Sequence, residues 1–205
     1  MAEALGMGRR TGIELHAEAA GLLPNNAWKV RRRRDRWRSG DTCNVSIGQG
    51  ALSVTPLQMA AYCAAVANGG TLYRPRLVLA RGGRGTWKRD LTPGERVNEM
   101  NWDARTLALV RGGMRDVIHA PNGTGKRAMI PGIAMAGKTG SAEYGPSNSL
   151  KYGWMIVFAP FEAPHYAVAI VVEDAVSGGV TVAPRVRRLM SGIFGLASEN
   201  GEQTG

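Results

Sequence analysis

The sequence predicts an α/β fold of the α+β kind, an antiparallel sheet with a C-terminal helix packed on it. Three apolar segments near the end of the chain, at 133–142, 154–159 and 167–172, favour strands. Their connections are too short to contain a crossover helix, so neighbouring strands must be antiparallel. An amphipathic segment at 181–194 follows and predicts the closing helix.

Composition is that of one globular domain of 205 residues, with 44% hydrophobic and 20% charged residues. The net charge of +10 favours anionic partners but does not bear on the fold. No uncharged apolar run reaches the roughly 18 residues of a membrane-spanning helix, and the first residues do not resemble a signal peptide. The 2 cysteines cannot form a disulfide framework, and we expect both to be buried or half-buried. Because no His/Cys cluster occurs, we expect neither a metal site nor a cofactor.

Two further helices are predicted in the middle of the chain. The first follows Thr55, a good N-cap, has Pro56 at its first position and ends at the Asn-Gly pair 68–69. The second spans about 103–119, where apolar residues recur on one face. The glycine pair at 112–113 costs this helix about 1 kcal/mol per residue relative to alanine, so we expect close packing to require it.

Patterns elsewhere are weaker. Residues 1–26 favour a short helix followed by turns, and residues 40–50 are dense in turn formers. The segment 71–80 predicts an edge strand because a proline interrupts it, and 81–100 predicts a loop.

One motif in the chain matches two different chemistries. The run GIAMAGKT at 132–139 fits the phosphate-binding loop pattern. The apolar strand at 168–174 ends in acidic residues, as does the strand that holds the metal ion in proteins with such a loop. A nucleotide-binding protein is therefore an alternative function. The context disfavours it, because a phosphate loop needs a helix directly after it, and Gly140 and Pro146 oppose one.

The second interpretation takes Lys138-Thr139-Gly140 as the third element of the serine acyltransferases that bind penicillin. The motif lies in an alternating strand, which would direct Lys138 and Gly140 to one face and Thr139 and Ser141 to the other. Two further strands and an amphipathic helix follow it, as that fold requires.

Other segments extend this resemblance over most of the chain. In order, they are WRSGDT at 37–42, SIGQG at 46–50, VTPLQMA at 54–60, NGG at 68–70, GT at 123–124, AGKTGSA at 136–142 and FAP at 158–160. With them the chain resembles the class B penicillin-binding proteins, and among these the elongation-type group, penicillin-binding protein 2. It departs from the pattern at Ser141, where threonine is commoner, and at Tyr152 and Met155, where histidine and phenylalanine are usual.

The resemblance implies a peptidoglycan D,D-transpeptidase, which cross-links cell-wall stem peptides through an acyl-serine intermediate and is acylated by β-lactams. It further implies a role in cell shape, no cofactor, and a full-length protein anchored in the inner membrane on its periplasmic side, within the cell-elongation machinery.

Roles for four residues follow from the same resemblance. Lys138 would support proton transfer and attract the substrate carboxylate, and Thr139 would offer its hydroxyl to that carboxylate. Gly140 would let the substrate backbone lie close, and the Ser141 N–H would be one of two oxyanion donors.

Two motifs of that family are absent. None of the 9 serines has a lysine three positions later, and S-x-N occurs only as Ser198-Glu199-Asn200, in a polar stretch after the KTG motif. We therefore expect residues 1–197 to be the C-terminal portion of a transpeptidase domain and 198–205 a disordered tail. Without its nucleophile the covalent route is lost, so the chain is expected to need the missing N-terminal half as a partner.

A basic run suggests a further alternative. Four arginines at 31–34 lie between Trp28 and Trp37, an arrangement that could bind nucleic acid through phosphate contacts and stacking. We favour a solvated loop for this run, and we expect no nucleic-acid partner.

Overall fold

The computed structural model describes residues 1–83, 86, 88–89 and 94–196 of the chain. It divides into two units, Met1–Trp102 and Asp103–Gly205, and each is described by itself. The predicted tail at 198–205 and the domain end at 197 lie outside the described residues.

Three helices form in the first unit, α1 (Asn26–Arg33), α2 (Ser39–Ser46) and α3 (Pro56–Ala67). Only α3 was predicted, and its Thr55 N-cap and Pro56 at the first position are confirmed. The short helix expected within 1–26 is absent from the described chain, where residues 2–8 form turns instead.

The two unpredicted helices, α1 and α2, are stabilised by polar contacts at their ends. The Asn25 side chain accepts a hydrogen bond from the Trp28 N–H and so caps α1. In the first turn of α2, the Asp41 carboxylate accepts from the Arg38 N–H and from Lys29 Nζ of α1, each at 2.7 Å. We predicted turns at 40–50 and a solvated loop for the basic run. Both predictions were wrong where these segments form α2 and α1.

Four short strands complete the first unit. β1 (Thr71–Tyr73) pairs antiparallel with β4 (Arg96–Glu99), and β2 (Ala80–Arg81) pairs with β3 (Lys88–Arg89). The strand predicted over 71–80 therefore ends at Tyr73, before Pro75, whose missing N–H cannot join a ladder. The predicted loop at 81–100 contains paired strands that its polar composition concealed.

The second unit has the predicted antiparallel α+β architecture. Its elements are α4 (Ala104–His119), β5 (Ala136–Tyr144), β6 (Leu150–Ala159), β7 (Tyr166–Val172) and α5 (Ala183–Ile193). The three strands form one sheet in the order β5-β6-β7, with both neighbouring pairs antiparallel. A 3₁₀ turn at Lys126–Ala128 lies between α4 and β5, and a π-helical turn at Gly178–Val182 precedes α5.

The core of this unit joins the sheet to both helices. Met155 of β6, Ile118 of α4, and Val186 and Met190 of α5 are fully buried in one apolar cluster. The alternate β7 residues Val168, Ile170 and Val172 pack against the same cluster, as period-2 alternation predicts. The expected packing of the C-terminal helix on the sheet is confirmed.

Two expectations were wrong at the level of single residues. Within the described chain, a Cβ added at Gly112 or Gly113 would meet open space, so no close neighbour requires these glycines. Of the two thiols, Cys63 is buried, with a pKa raised to about 12 by burial, but Cys43 is exposed.

Candidate active-site cleft

The KTG motif lies within β5, at one edge of the three-stranded sheet. Among the described strands β5 pairs only with β6, so no described strand occupies its other edge. A phosphate-binding loop needs an irregular turn and a helix N-terminus at this point. Here, residues 137–139 lie inside a nine-residue strand, and a 3₁₀ turn of three residues follows it. The geometry excludes the nucleotide-binding alternative.

A cleft of about 710 Å³ opens beside the middle of β5. Its wall is formed by Thr139–Ser141 of β5, the loop after α4 around Thr124, and the turn at 177–180, with Lys126 and Arg127 also lining it. None of the described residues that form this wall carries a carboxylate. The cleft therefore combines hydroxyl groups with positive charge, a surface suited to an anion.

Thr139 contributes a buried hydroxyl to this cleft. Only 8% of the residue is exposed, and its Oγ1 lies 2.7 Å from Oγ1 of Thr124, where either hydroxyl can donate. Because a buried polar group must be hydrogen-bonded to be tolerated, the pair fixes the position of both side chains.

Ser141 lies two residues further along the strand and has an exposed side chain. Its Oγ accepts a hydrogen bond of 3.3 Å from the Gly178 N–H. This contact joins the KTG strand to the turn that precedes α5.

Gly178 and Gly179 allow that turn to approach the site closely. A Cβ on Gly178 would lie 2.4 Å from the Trp154 carbonyl oxygen and 2.6 Å from that of Gly140. A Cβ on Gly179 would lie 2.2 Å from the carbonyl oxygen of Thr124. Both positions require glycine. Sequence analysis missed them, although the Gly-Gly pair just before the last helix was a visible signal.

Lys138 is placed differently from its neighbours in the motif. Its side chain is exposed, and Nζ donates to the backbone carbonyl of Thr139. It is not among the residues that line the cleft, whereas Thr139, Gly140 and Ser141 all are. The structure thus brings three of the four predicted site residues together and leaves the lysine at the strand surface.

The described residues contain neither a metal-binding cluster nor a helix that could span a membrane. No group of three or more His, Cys, Asp or Glu side chains among them could hold a metal ion. None of the described helices combines the length and apolar character needed to cross a bilayer.

Residues 1–191 match the family described as the penicillin binding protein transpeptidase domain. Among curated proteins, peptidoglycan D,D-transpeptidase MrdA of Acinetobacter baumannii is 35% identical over 187 residues, covering 85% of this chain and 27% of that protein. MrdA of Salmonella typhimurium is 32% identical, covering 95% of this chain and 33% of the relative. The chain therefore spans at most about a third of the length of these relatives.

Solved structures agree with the sequence comparisons. PBP2 of Pseudomonas aeruginosa, in complex with WCK 5153, superposes with a TM-score of 0.78 at 31% identity, covering 98% of this chain and 44% of that one. PBP2 of Helicobacter pylori, in complex with MreC, gives a TM-score of 0.77 at 28% identity, covering 94% and 34%.

Proposed function

This chain belongs to the penicillin-binding protein transpeptidase family, and we propose that it forms the acyl-donor-binding part of a peptidoglycan D,D-transpeptidase of the PBP2 type. The observation that carries the proposal is the position of Thr139, Gly140 and Ser141, on an edge strand of the described sheet and in the wall of a cationic cleft.

The edge of β5 that no described strand occupies provides a binding mode for an extended peptide. A stem peptide ending in D-Ala-D-Ala adds to this edge as a further strand, through backbone hydrogen bonds. Gly140 presents no side chain that would hold the peptide away. The terminal carboxylate of the peptide accepts a hydrogen bond from the Thr139 hydroxyl in the cleft.

The reacting carbonyl of the donor lies next to this carboxylate-binding end. The Ser141 N–H donates one of the two hydrogen bonds that stabilise the developing oxyanion, an interaction generally worth about 3 kcal/mol. From the strand surface Lys138 attracts the anionic substrate. To support proton transfer as well, its side chain leaves the Thr139 carbonyl and turns toward the reacting carbonyl. β-Lactams occupy the same site because they mimic the donor.

The nucleophilic serine and its base come from outside the present sequence, which has neither S-x-x-K nor an S-x-N before the KTG motif. In this proposal residues 1–197 are the C-terminal portion of the transpeptidase domain, and the chain alone forms no acyl-enzyme. By family resemblance, we propose that the whole protein acts on the periplasmic side of the inner membrane within the cell-elongation machinery. The H. pylori PBP2 solved in complex with MreC supports a protein partner for such an enzyme.

Completing the domain tests this function. The upstream part of the P. aeruginosa PBP2 domain, with both missing motifs, is joined to residue 1, and covalent labelling by a fluorescent penicillin is measured. We expect the fusion to be labelled and the 205-residue chain alone to remain unlabelled. In the fusion, Lys138→Ala should slow labelling about 100-fold, because it removes the cation that assists proton transfer.

A matched control is Arg32→Ala, which also removes an exposed cation but from helix α1. Its labelling rate should stay within about twofold of the parent, since an exposed cation that does not belong to the KTG motif contributes little. Equal losses from the two substitutions would count against Lys138, and an unlabelled, folded fusion would contradict the proposed function.

A further inference from the structure

We propose that Thr124 is a positioning residue that orients the hydroxyl of Thr139 toward an anionic group in the cleft. The proposal deepens the proposed function and rests on it for the nature of the anion, the terminal carboxylate of an acyl donor. Thr124 follows α4 and lies 15 positions before Thr139 in the chain.

The number of donors and acceptors on the two hydroxyl groups determines how they must be arranged. Each threonine hydroxyl has one proton to donate and two lone pairs that can accept. Their oxygens are 2.7 Å apart, so one of the two donates to the other. If Thr139 donates to a carboxylate, it can only accept from Thr124, and the pair becomes a directed chain from Thr124 through Thr139 to the anion.

The charge around the cleft favours that direction. Lys126 and Arg127 line it, and neither forms an ion pair with a described carboxylate. A negative group entering the cleft meets two cations and the donor end of the hydroxyl chain. Hydrogen bonds in such a chain polarise one another, so the Thr124 hydroxyl strengthens the bond that Thr139 makes to the anion.

Three glycines pack closely around Thr124. The Gly125 N–H donates to the Val117 carbonyl at 2.8 Å, and a Cβ on Gly123 would lie 2.4 Å from that same oxygen, so the loop is fixed against the end of α4. Gly179 approaches the Thr124 carbonyl. The hydroxyl is therefore presented by a packed backbone, and no loop needs to be ordered when the anion binds.

The test uses the full 205-residue chain and two probes that differ in one charge, N-acetyl-D-alanyl-D-alanine and its C-terminal amide. Backbone amide shifts of residues 139–141 are followed by NMR as each probe is added. Thr124→Val removes the hydroxyl at nearly constant shape and Thr124→Ser retains it. Thr71→Val, on β1 of the first unit, makes the same chemical change at a residue that does not line the cleft.

We expect Thr124→Val to raise the dissociation constant of the acid about fivefold, the effect of losing one assisting hydrogen bond. In Thr124→Val the dissociation constant of the amide should change less than about twofold. The dissociation constant of the acid should also change less than about twofold in Thr124→Ser and in Thr71→Val. If valine disturbs the turn, Thr124→Ala takes its place, and the same changes in the dissociation constants of the acid and the amide are expected.

Equal affinity of the acid for the wild type and for Thr124→Val overturns the inference, as does equal weakening of acid and amide, which would mean a merely structural role. Absence of saturable shifts at 139–141 in the folded wild-type chain overturns it as well. These outcomes differ from failure of the proposed function, which is read from penicillin labelling of the completed domain.

Discussion

The two units of this chain are stabilised by different interactions. Asp103–Gly205 has three strands of seven to ten residues around an apolar cluster, whereas the strands of Met1–Trp102 have two to four residues. The first unit has an apolar cluster that is smaller than that of the second unit, and its buried members are Leu5, Ala65 and Leu72. The strand that carries the KTG motif thus belongs to the unit with the larger apolar core.

In the first unit, the buried amide of Gln58 joins helix α3 to the irregular N-terminal segment through hydrogen bonds. Gln58 is 2% exposed, and its Nε2 donates to the carbonyls of Arg9 at 2.7 Å and Ala20 at 2.8 Å. Its Oε1 accepts from the Thr55 N–H. One side chain therefore caps α3 and anchors the irregular N-terminal segment. A region with little regular structure can therefore depend on the hydrogen bonds of one buried polar side chain, whereas the sheet of the second unit depends on its apolar cluster.

The largest expected effect comes from opening the apolar core. Met155→Ala should lower the free energy of unfolding by about 3 kcal/mol, because it removes a fully buried side chain and leaves a cavity. Urea denaturation followed by circular dichroism measures the change. Met155→Leu, which conserves volume, should cost less than about 1.5 kcal/mol. Equal losses for both would show that sulfur contacts, and not volume, govern this position.

A slightly smaller loss is expected from the polar counterpart in the first unit. Gln58→Ala should cost about 2 kcal/mol, because the carbonyls of Arg9 and Ala20 lose their donor and α3 loses part of its cap. Hydrogen exchange at residues 6–22 should accelerate more than exchange in β6. A uniform acceleration of both units would contradict the local role assigned to this amide.

A gain in stability is expected where a glycine faces open space. Gly113→Ala in α4 should raise the free energy of unfolding by about 1 kcal/mol, since alanine is the better helix former and its Cβ meets no described neighbour. Gly179→Ala is the control and should destabilise, because its Cβ would meet the Thr124 carbonyl. Thermal unfolding compares the two, and a loss from Gly113→Ala would reveal a contact there.

The smallest effect concerns pH and the ion pairs that join α1 to α2. Lys29 is the main cause that holds the pKa of both Asp35 and Asp41 below the usual value. Because the folded pKa is the lower one, this stabilisation is present above about pH 4 and is lost as pH falls through the folded pKa. We expect fluorescence of Trp37, whose indole N–H donates to Thr42, to report an acid transition. In Lys29→Met that transition should weaken, and an unchanged acid profile would contradict the assignment.

Local signals in the sequence were sufficient for the sheet and for α3. Three apolar segments predicted β5, β6 and β7, and their short connections required antiparallel pairing. Capping residues at Thr55 and Pro56 predicted where α3 begins. These features depend on residues within a few positions of one another, which is why one sequence suffices to identify them.

The antiparallel architecture and the motif Lys138-Thr139-Gly140 could thus be predicted from one sequence, because period and spacing are local properties. The contact of Thr139 with the hydroxyl of Thr124, and that of Gly178 with the backbone of Gly140, became visible only in the folded chain. Such contacts join residues 15 and 38 positions apart, and no local propensity encodes how a loop and a turn converge on one strand. The cleft results from that convergence, since close packing of separate backbones is a property of the folded chain alone.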